Sequence, residues 1–209
     1  MSYQDNLKNA FGVLLHPGKE TKRQMGIGES LKFYYSVMII PMILGIILGA
    51  VIGMSSGGAV AMISAVLLDY VIVFPIVSIL VGAGIYHAII GKLFKLYKGN
   101  YERVVNAFTY MIIPFLLIYW IVLPLSVNSS LLGSTVAVNG IPSGVSALAP
   151  IGLLLTVIFG IWALIVSVIA LSTQLNISRV KAFGTMVLEG VIIGIIYLVV
   201  VLMVTAIAL

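Results

Sequence analysis

Three consecutive segments decide the fold: YVIVFPIVSILVGAGIYHAII (residues 70–90), GKLFKLYKGNYER (91–103) and VVNAFTYMIIPFLLIYWIVLPL (104–125). Each outer segment can cross a hydrocarbon core as an α-helix, which takes roughly 20 mainly apolar residues. The segment between them gathers Lys92, Lys95, Lys98 and Arg103 into one short turn. Two apolar helices joined by a basic turn make a transmembrane hairpin whose turn faces the cytoplasm.

Three more stretches of the same kind flank this hairpin, at 33–53, 149–171 and 186–209. The sequence therefore predicts an all-α protein, a polytopic membrane helix bundle with five transmembrane helices. Five basic residues (Lys8, Lys19, Lys22, Arg23, Lys32) precede the first span, four lie between the second and third, and Arg179 and Lys181 lie between the fourth and fifth. All 11 basic residues thus fall on one side, which places the N-terminus in the cytoplasm and the C-terminus opposite. Splitting 59–90 into two spans would put the basic clusters on opposite sides, so six crossings are rejected. The chain divides into a cytoplasmic N-terminal segment, 1–32, and a five-helix transmembrane domain, 33–209. Residues 54–68 are uncharged and suit either a helical lead-in to the second span or a re-entrant piece. The outer loop 126–147 carries an Asn139-Gly140 turn signal and a glycosylation tripeptide at Asn128.

Composition agrees with this class. With 62% hydrophobic and 8% charged residues, the chain needs lipid as a solvent. The net charge of +5 sits in short segments between apolar runs, which suits anionic lipid headgroups and not nucleic acid. The absence of cysteine excludes disulfides and thiolate chemistry. The apolar stretch Phe11 to Leu15 is too short for a cleavable signal, and His16-Pro17-Gly18-Lys19 follows directly, so the N-terminus is expected to be retained.

Candidate functional residues fall into three groups. On the cytoplasmic side, Leu7, Ala10, Phe11, Leu14 and Leu15 recur at helical spacing, as in a short interfacial helix or one packed on the bundle. Lys92, Lys95, Lys98, Arg103, Arg179 and Lys181, with Phe11, Leu14 and Leu15, are the expected lipid or partner contacts. Gly45, Gly49 and Gly53 in the first span, and Gly190 and Gly194 in the fifth, have the spacing of helix-packing seams, within the bundle or in a homo-oligomer. Asp69, His87 and Glu189 are ionisable at membrane level, where charge is expensive to bury. His87 is expected to make a structural hydrogen bond, and Glu189 to pair with Lys181 or Lys92. Pro41, Pro75 and Pro114 are expected to kink their spans. Asn100-Tyr101-Glu102-Arg103-Val104 and Asn176-Ile177-Ser178-Arg179-Val180 match approximately, either as two Asn-capped helix starts or as a duplicated hairpin. No hydrolase, metalloprotease or phosphate-loop motif is present, so no catalysis, metal or cofactor is expected.

The order of several features resembles the YIP-domain family of five-span membrane proteins, named for interaction with Ypt/Rab GTPases. The matching residues are Leu14-Leu15-His16-Pro17, Gly84-x-x-His87 before a basic turn, Tyr110 with Pro114, Trp162, and Ser178-x-x-Lys181-Ala182. The resemblance implies a non-enzymatic role in membrane organisation or trafficking. Eukaryotic members carry a longer N-terminal region with an Asp-Leu-Tyr-Gly-Pro type motif. This chain is more similar to the prokaryotic branch, which implies a prokaryotic cytoplasmic membrane and not the ER or Golgi. Two other functions fit the sequence: a small transporter or channel built on a parallel hairpin repeat, and an accessory subunit of a larger membrane complex. A transporter would need a hydrated path lined by Ser78, Thr109, Ser167 and His87.

Overall fold

The computed structural model describes residues 3–56, 59–113 and 148–208. The chain opens with α1 (Tyr3–Leu15) and the single turn α2 (Pro17–Glu20), followed by a long α3 (Ile27–Ser56). Next, α4 (Ala59–Leu68) runs without a break through a wide π-helical segment (Asp69–Val81), α5 (Gly82–Tyr86) and a second π-helical segment (His87–Leu93). Helix α6 occupies 101–113, α7 Leu148–Leu175 and α8 Arg179–Ala208. There is no strand among the described residues.

Four of these helices are long and apolar enough to cross a membrane: Ile27–Leu44, Val66–Leu93, Val157–Leu175 and Arg179–Val199. They contain or overlap four of the five expected spans. The remaining span, 104–125, is described only through α6, and its outer part lies outside the described residues with Pro114, the Asn128 tripeptide and the Asn139-Gly140 turn. The stretch ahead of the second span is helical from Ala59, a lead-in continuous with the span.

Pro75 explains how the second span is held. Inside the π-helical segment Pro75 has no N–H to give to the carbonyl at 70, five residues earlier, and its ring crowds the carbonyl at 71, four residues earlier. Those two oxygens are met from α3: the Tyr34 hydroxyl donates to Tyr70 O at 3.0 Å and the Tyr35 hydroxyl to Val71 O at 2.9 Å. In hydrocarbon an unmet carbonyl is costly, so a proline in a span is tolerated when a neighbouring helix supplies the donor. Tyr101 does the same from α6, donating to Leu80 O at 2.7 Å.

The buried core lies near the basic segments of the chain. It takes Ala10 and Val13 from α1, Phe33, Tyr34 and Val37 from α3, Tyr86 and Ile90 before the first basic turn, Val104 to Ala107 from α6, and Leu171 and Leu175 from α7. Away from that end, Ile43 and Ile47 of α3 and Val191, Ile193, Ile195, Leu198, Val201 and Met203 of α8 present large apolar side chains outward.

What ties the core together is a clasp around a non-helical segment. After Pro17 starts α2, Thr21 N–H still reaches Pro17 O at 3.0 Å, and the chain then runs through residues 23–26 outside any helix. The carbonyls of Thr21, Arg23 and Met25 meet buried side chains of the spans. Gln174 Nε2 donates to Thr21 O and, at 2.9 Å, to Arg23 O; Tyr110 donates to Arg23 O at 3.3 Å; Asn106 Nδ2 donates to Met25 O at 2.7 Å. Ser30 completes the set by donating to Asn106 Oδ1 at 2.6 Å.

Asn106→Leu would keep the branched shape but strand the Met25 carbonyl, while the Ser30 hydroxyl falls back on Gly26 O at 3.2 Å, at a cost of about 2 kcal/mol. The expected outcome is a lower thermal midpoint in detergent and faster proteolysis within residues 17–26. Thr109→Val, which removes only a hydroxyl bonded to Val105 O of its own helix, should leave both nearly unchanged.

Candidate functional site

The first basic turn is built by a left-handed residue and a buried tyrosine. Lys95 has φ 53°, which ends the second π-helical segment and lets Phe94 N–H reach Ile89 O at 2.9 Å and Leu96 N–H reach Ile90 O at 3.0 Å. The chain then folds back, and Tyr97 enters a notch at Gly91. A Cβ on Gly91 would stand 2.8 Å from the Tyr97 hydroxyl oxygen, so only glycine leaves room. The Tyr97 hydroxyl lies 2.6 Å from His87 Nδ1, and its ring stacks on Tyr86 at 6.0 Å. Burial, with Tyr86 adding to it, pushes the Tyr97 phenol up, so it stays protonated beside the imidazole, whose tautomer sets which of the two donates. Asn100 then starts α6 by accepting from Arg103 N–H at 3.2 Å.

A second turn, between α7 and α8, uses the same devices on different residues. Asn176 has φ 53° and closes α7, with Ile177 N–H on Ser172 O at 3.1 Å. Ser178 caps α8 by accepting from Lys181 N–H at 3.3 Å. The two turns are joined by Tyr86, which donates to Thr185 Oγ1 at 2.7 Å, and Thr185 donates on to Ala182 O at 2.8 Å. The segment ending in Leu93 packs on α8, so Lys92 and Lys95 share one end of the bundle with Arg179 and Lys181.

That end is both basic and apolar. Lys92, Lys95, Lys98, Arg179 and Lys181 are exposed, and Arg103 is half-buried. Leu93, Phe94, Val180 and Phe183 are exposed beside them in sequence, as are Phe11 and Leu15 of α1. Cations among outward apolar side chains match the border between headgroups and hydrocarbon.

Residues 11–203 match the Yip1 domain. The chain belongs to the Yip1 domain family. The match runs from α1 to near the end of α8, and the family is generally one of non-catalytic membrane proteins. No curated protein and no solved structure matches the chain.

Within this Yip1 domain, the residues that carried the resemblance have definite places. Pro17 is buried at the first position of α2, where it ends α1 and sends the chain toward the clasp. A Cβ added at Gly84 would stand 3.9 Å from the Tyr101 ring, His87 holds Tyr97, Tyr110 holds Arg23 O, and Trp162 packs on the core.

The structure sorts the other candidates. Helix α1 buries Asn6, Ala10 and Val13, leaves Leu7 and Leu14 half-buried, and turns Phe11 and Leu15 outward, so it packs on the bundle with one face and exposes another. Glu189 is half-buried in α8, and Lys181 lies two helical turns away, ~12 Å along the axis. Asp69 is exposed where the second span begins its π-helical winding. Gly45, Gly49 and Gly53 are helical in α3. Gly190 and Gly194 have no described neighbour within 4 Å of an added Cβ, so among the described residues they are not a seam inside the bundle. The matching pentapeptides differ in role: Asn100 is a helix N-cap, whereas Asn176 closes the preceding helix and Ser178 takes the cap. A cavity of about 410 Å³ unites Ser78 and Ser167 with Phe108 and Gly160, but Thr109 and His87 do not line it.

Sequence reasoning passed over Asn106, Gln174, Tyr86 and Tyr97. The available signal was uncharged: amides inside or beside apolar spans, and tyrosines flanking a membrane-level histidine. Gly91→Ala should drive Tyr97 out of its notch and lower the thermal midpoint by several degrees, since overpacking costs about 1–3 kcal/mol. Gly194→Ala, with open space around it, should leave the midpoint within about 1 °C of wild type.

Proposed function

We propose that this Yip1 domain is a non-enzymatic organiser of membrane or partner proteins that works through its basic end. In this reading the chain crosses the bilayer five times with the N-terminus in and the C-terminus out, and the basic end is cytoplasmic. The supporting observation is the joint placement of Lys92, Lys95, Arg179 and Lys181 with outward Leu93, Phe94, Val180 and Phe183, on turns made rigid by Tyr97 and Tyr86. A fixed cationic surface at headgroup depth attracts anionic lipid, each cation near the surface contributing about 1 kcal/mol. It would also suit an acidic patch on a partner. The home we assign is the cytoplasmic membrane of a prokaryote, by the sequence's similarity to that branch.

Two measurements test this. Reversing Lys92, Lys95, Lys98 and Arg103 to Glu should cut capture of anionic vesicles by the reconstituted protein by more than about tenfold, with the difference vanishing in high salt. Unchanged capture together with an unchanged crosslinked partner set would refute the role assigned to this end. For topology, the cysteine-free chain permits single-cysteine labelling. Lys98→Cys should react only from the cytoplasmic side, and a cysteine added after Leu209 only from the other; labelling of both from one side would overturn five crossings.

A further inference from the structure

A second feature at the membrane border is separate from the basic turns. A cavity of about 470 Å³ opens between the clasped segment and the start of α3, and its wall includes Arg23, Met25, Glu29, Lys32, Phe33 and Tyr35. It is charged with both signs: two cations and one carboxylate face a single space. Glu29 and Lys32 are three residues apart on α3 and therefore neighbours on one face. Arg23 comes from the non-helical segment, whose backbone is fixed by Gln174 and Tyr110.

The same helix carries an apolar track away from the cavity. Tyr35, Ile39, Ile43 and Ile47 follow at four-residue spacing and are 43%, 44%, 49% and 54% exposed, so they form one outward stripe beginning at the cavity wall. The stripe lies in a helix apolar enough to cross the bilayer from Ile27. A soluble zwitterion would use the charged mouth and leave this track idle. A lipid uses both.

We propose that this cavity is a binding site for one glycerophospholipid whose headgroup joins a phosphate to a primary ammonium. The phosphate lies between Arg23 and Lys32, since a guanidinium and an ammonium are the natural donors to phosphate oxygens. The ammonium donates to Glu29, and the acyl chains run along Tyr35, Ile39, Ile43 and Ile47. Choline keeps the phosphate but has no N–H to give Glu29. A glycerol headgroup has no cation at all. The site therefore discriminates among lipids that share phosphate and chains. This proposal does not rest on the role assigned to those turns.

The test uses the full-length protein reconstituted in a bilayer of equal parts ethanolamine, choline and glycerol phospholipid, then released into mild detergent, with retained lipid counted by native mass spectrometry. Wild type should retain the ethanolamine lipid over each of the others by about tenfold, the scale of one charge-assisted hydrogen bond. Glu29→Gln should abolish that preference while still retaining phospholipid. Lys32→Gln, at an exposed position that the fold tolerates, should lower retention of all three. Reversing Lys92, Lys95, Lys98 and Arg103 should leave the preference intact, which separates this site from the basic turns. Retention by wild type in the proportions supplied would overturn the proposal without need of any variant. So would a Glu29→Gln protein that keeps the preference.

Discussion

The structure depends on a constraint that water would remove: a stretch of non-helical backbone next to the hydrocarbon region must find its donors inside the protein. Residues 21–26 are such a stretch, and the donors come from Gln174, Tyr110 and Asn106. Because those side chains stand on α6 and α7, satisfying one short segment also fixes two spans against the N-terminal helices. Ser30 adds α3 to the same set through Asn106. The core residues around it then close in as a consequence of positions that the hydrogen bonds already impose.

The second span shows the same logic applied to a helix. Pro75 withholds an N–H from the helix, and Tyr34 and Tyr35 of α3 are placed to donate to the carbonyls of Tyr70 and Val71. Apolar packing between helices has little advantage over packing against lipid, so polar contacts of this kind decide which helices become neighbours. At the basic end Tyr97 and Tyr86 extend the principle to a surface. They turn a run of lysines, which in isolation would be flexible, into a set of charges with fixed positions. The glycine at 91 is part of that device, because it is the space into which Tyr97 fits.

Much of the candidate site was legible because charge and apolarity are visible one residue at a time. Lys92, Lys95 and Lys98 could be read as an exposed basic turn, and His87 as a hydrogen-bonding residue, without knowing what they touch. The partner of His87 was not legible, since Tyr97 lies across a turn whose path depends on a left-handed residue at Lys95. The Asn100 and Asn176 pentapeptides failed as equivalents for a related reason. Both are Asn, but an Asn serves a helix start through its side chain and a helix end through its backbone, and the sequence around it does not separate the two uses.

The amino-acid sequence by itself determined the class: long apolar runs that only helices in lipid can satisfy, with every basic residue placed so that one end differs from the other. It also carried enough ordered features to mark the family to which the chain belongs. Only the tertiary structure decided which polar groups meet. Gln174 and Thr21 are 153 residues apart, and Asn106 and Met25 are 81 apart. Helical periodicity reports the face a residue occupies on its own helix, whereas a bond between helices depends on rotation and height, which are set by all the packed neighbours at once. The cavity lined by Arg23, Glu29 and Lys32 lies where those long-range bonds hold the non-helical segment beside α3.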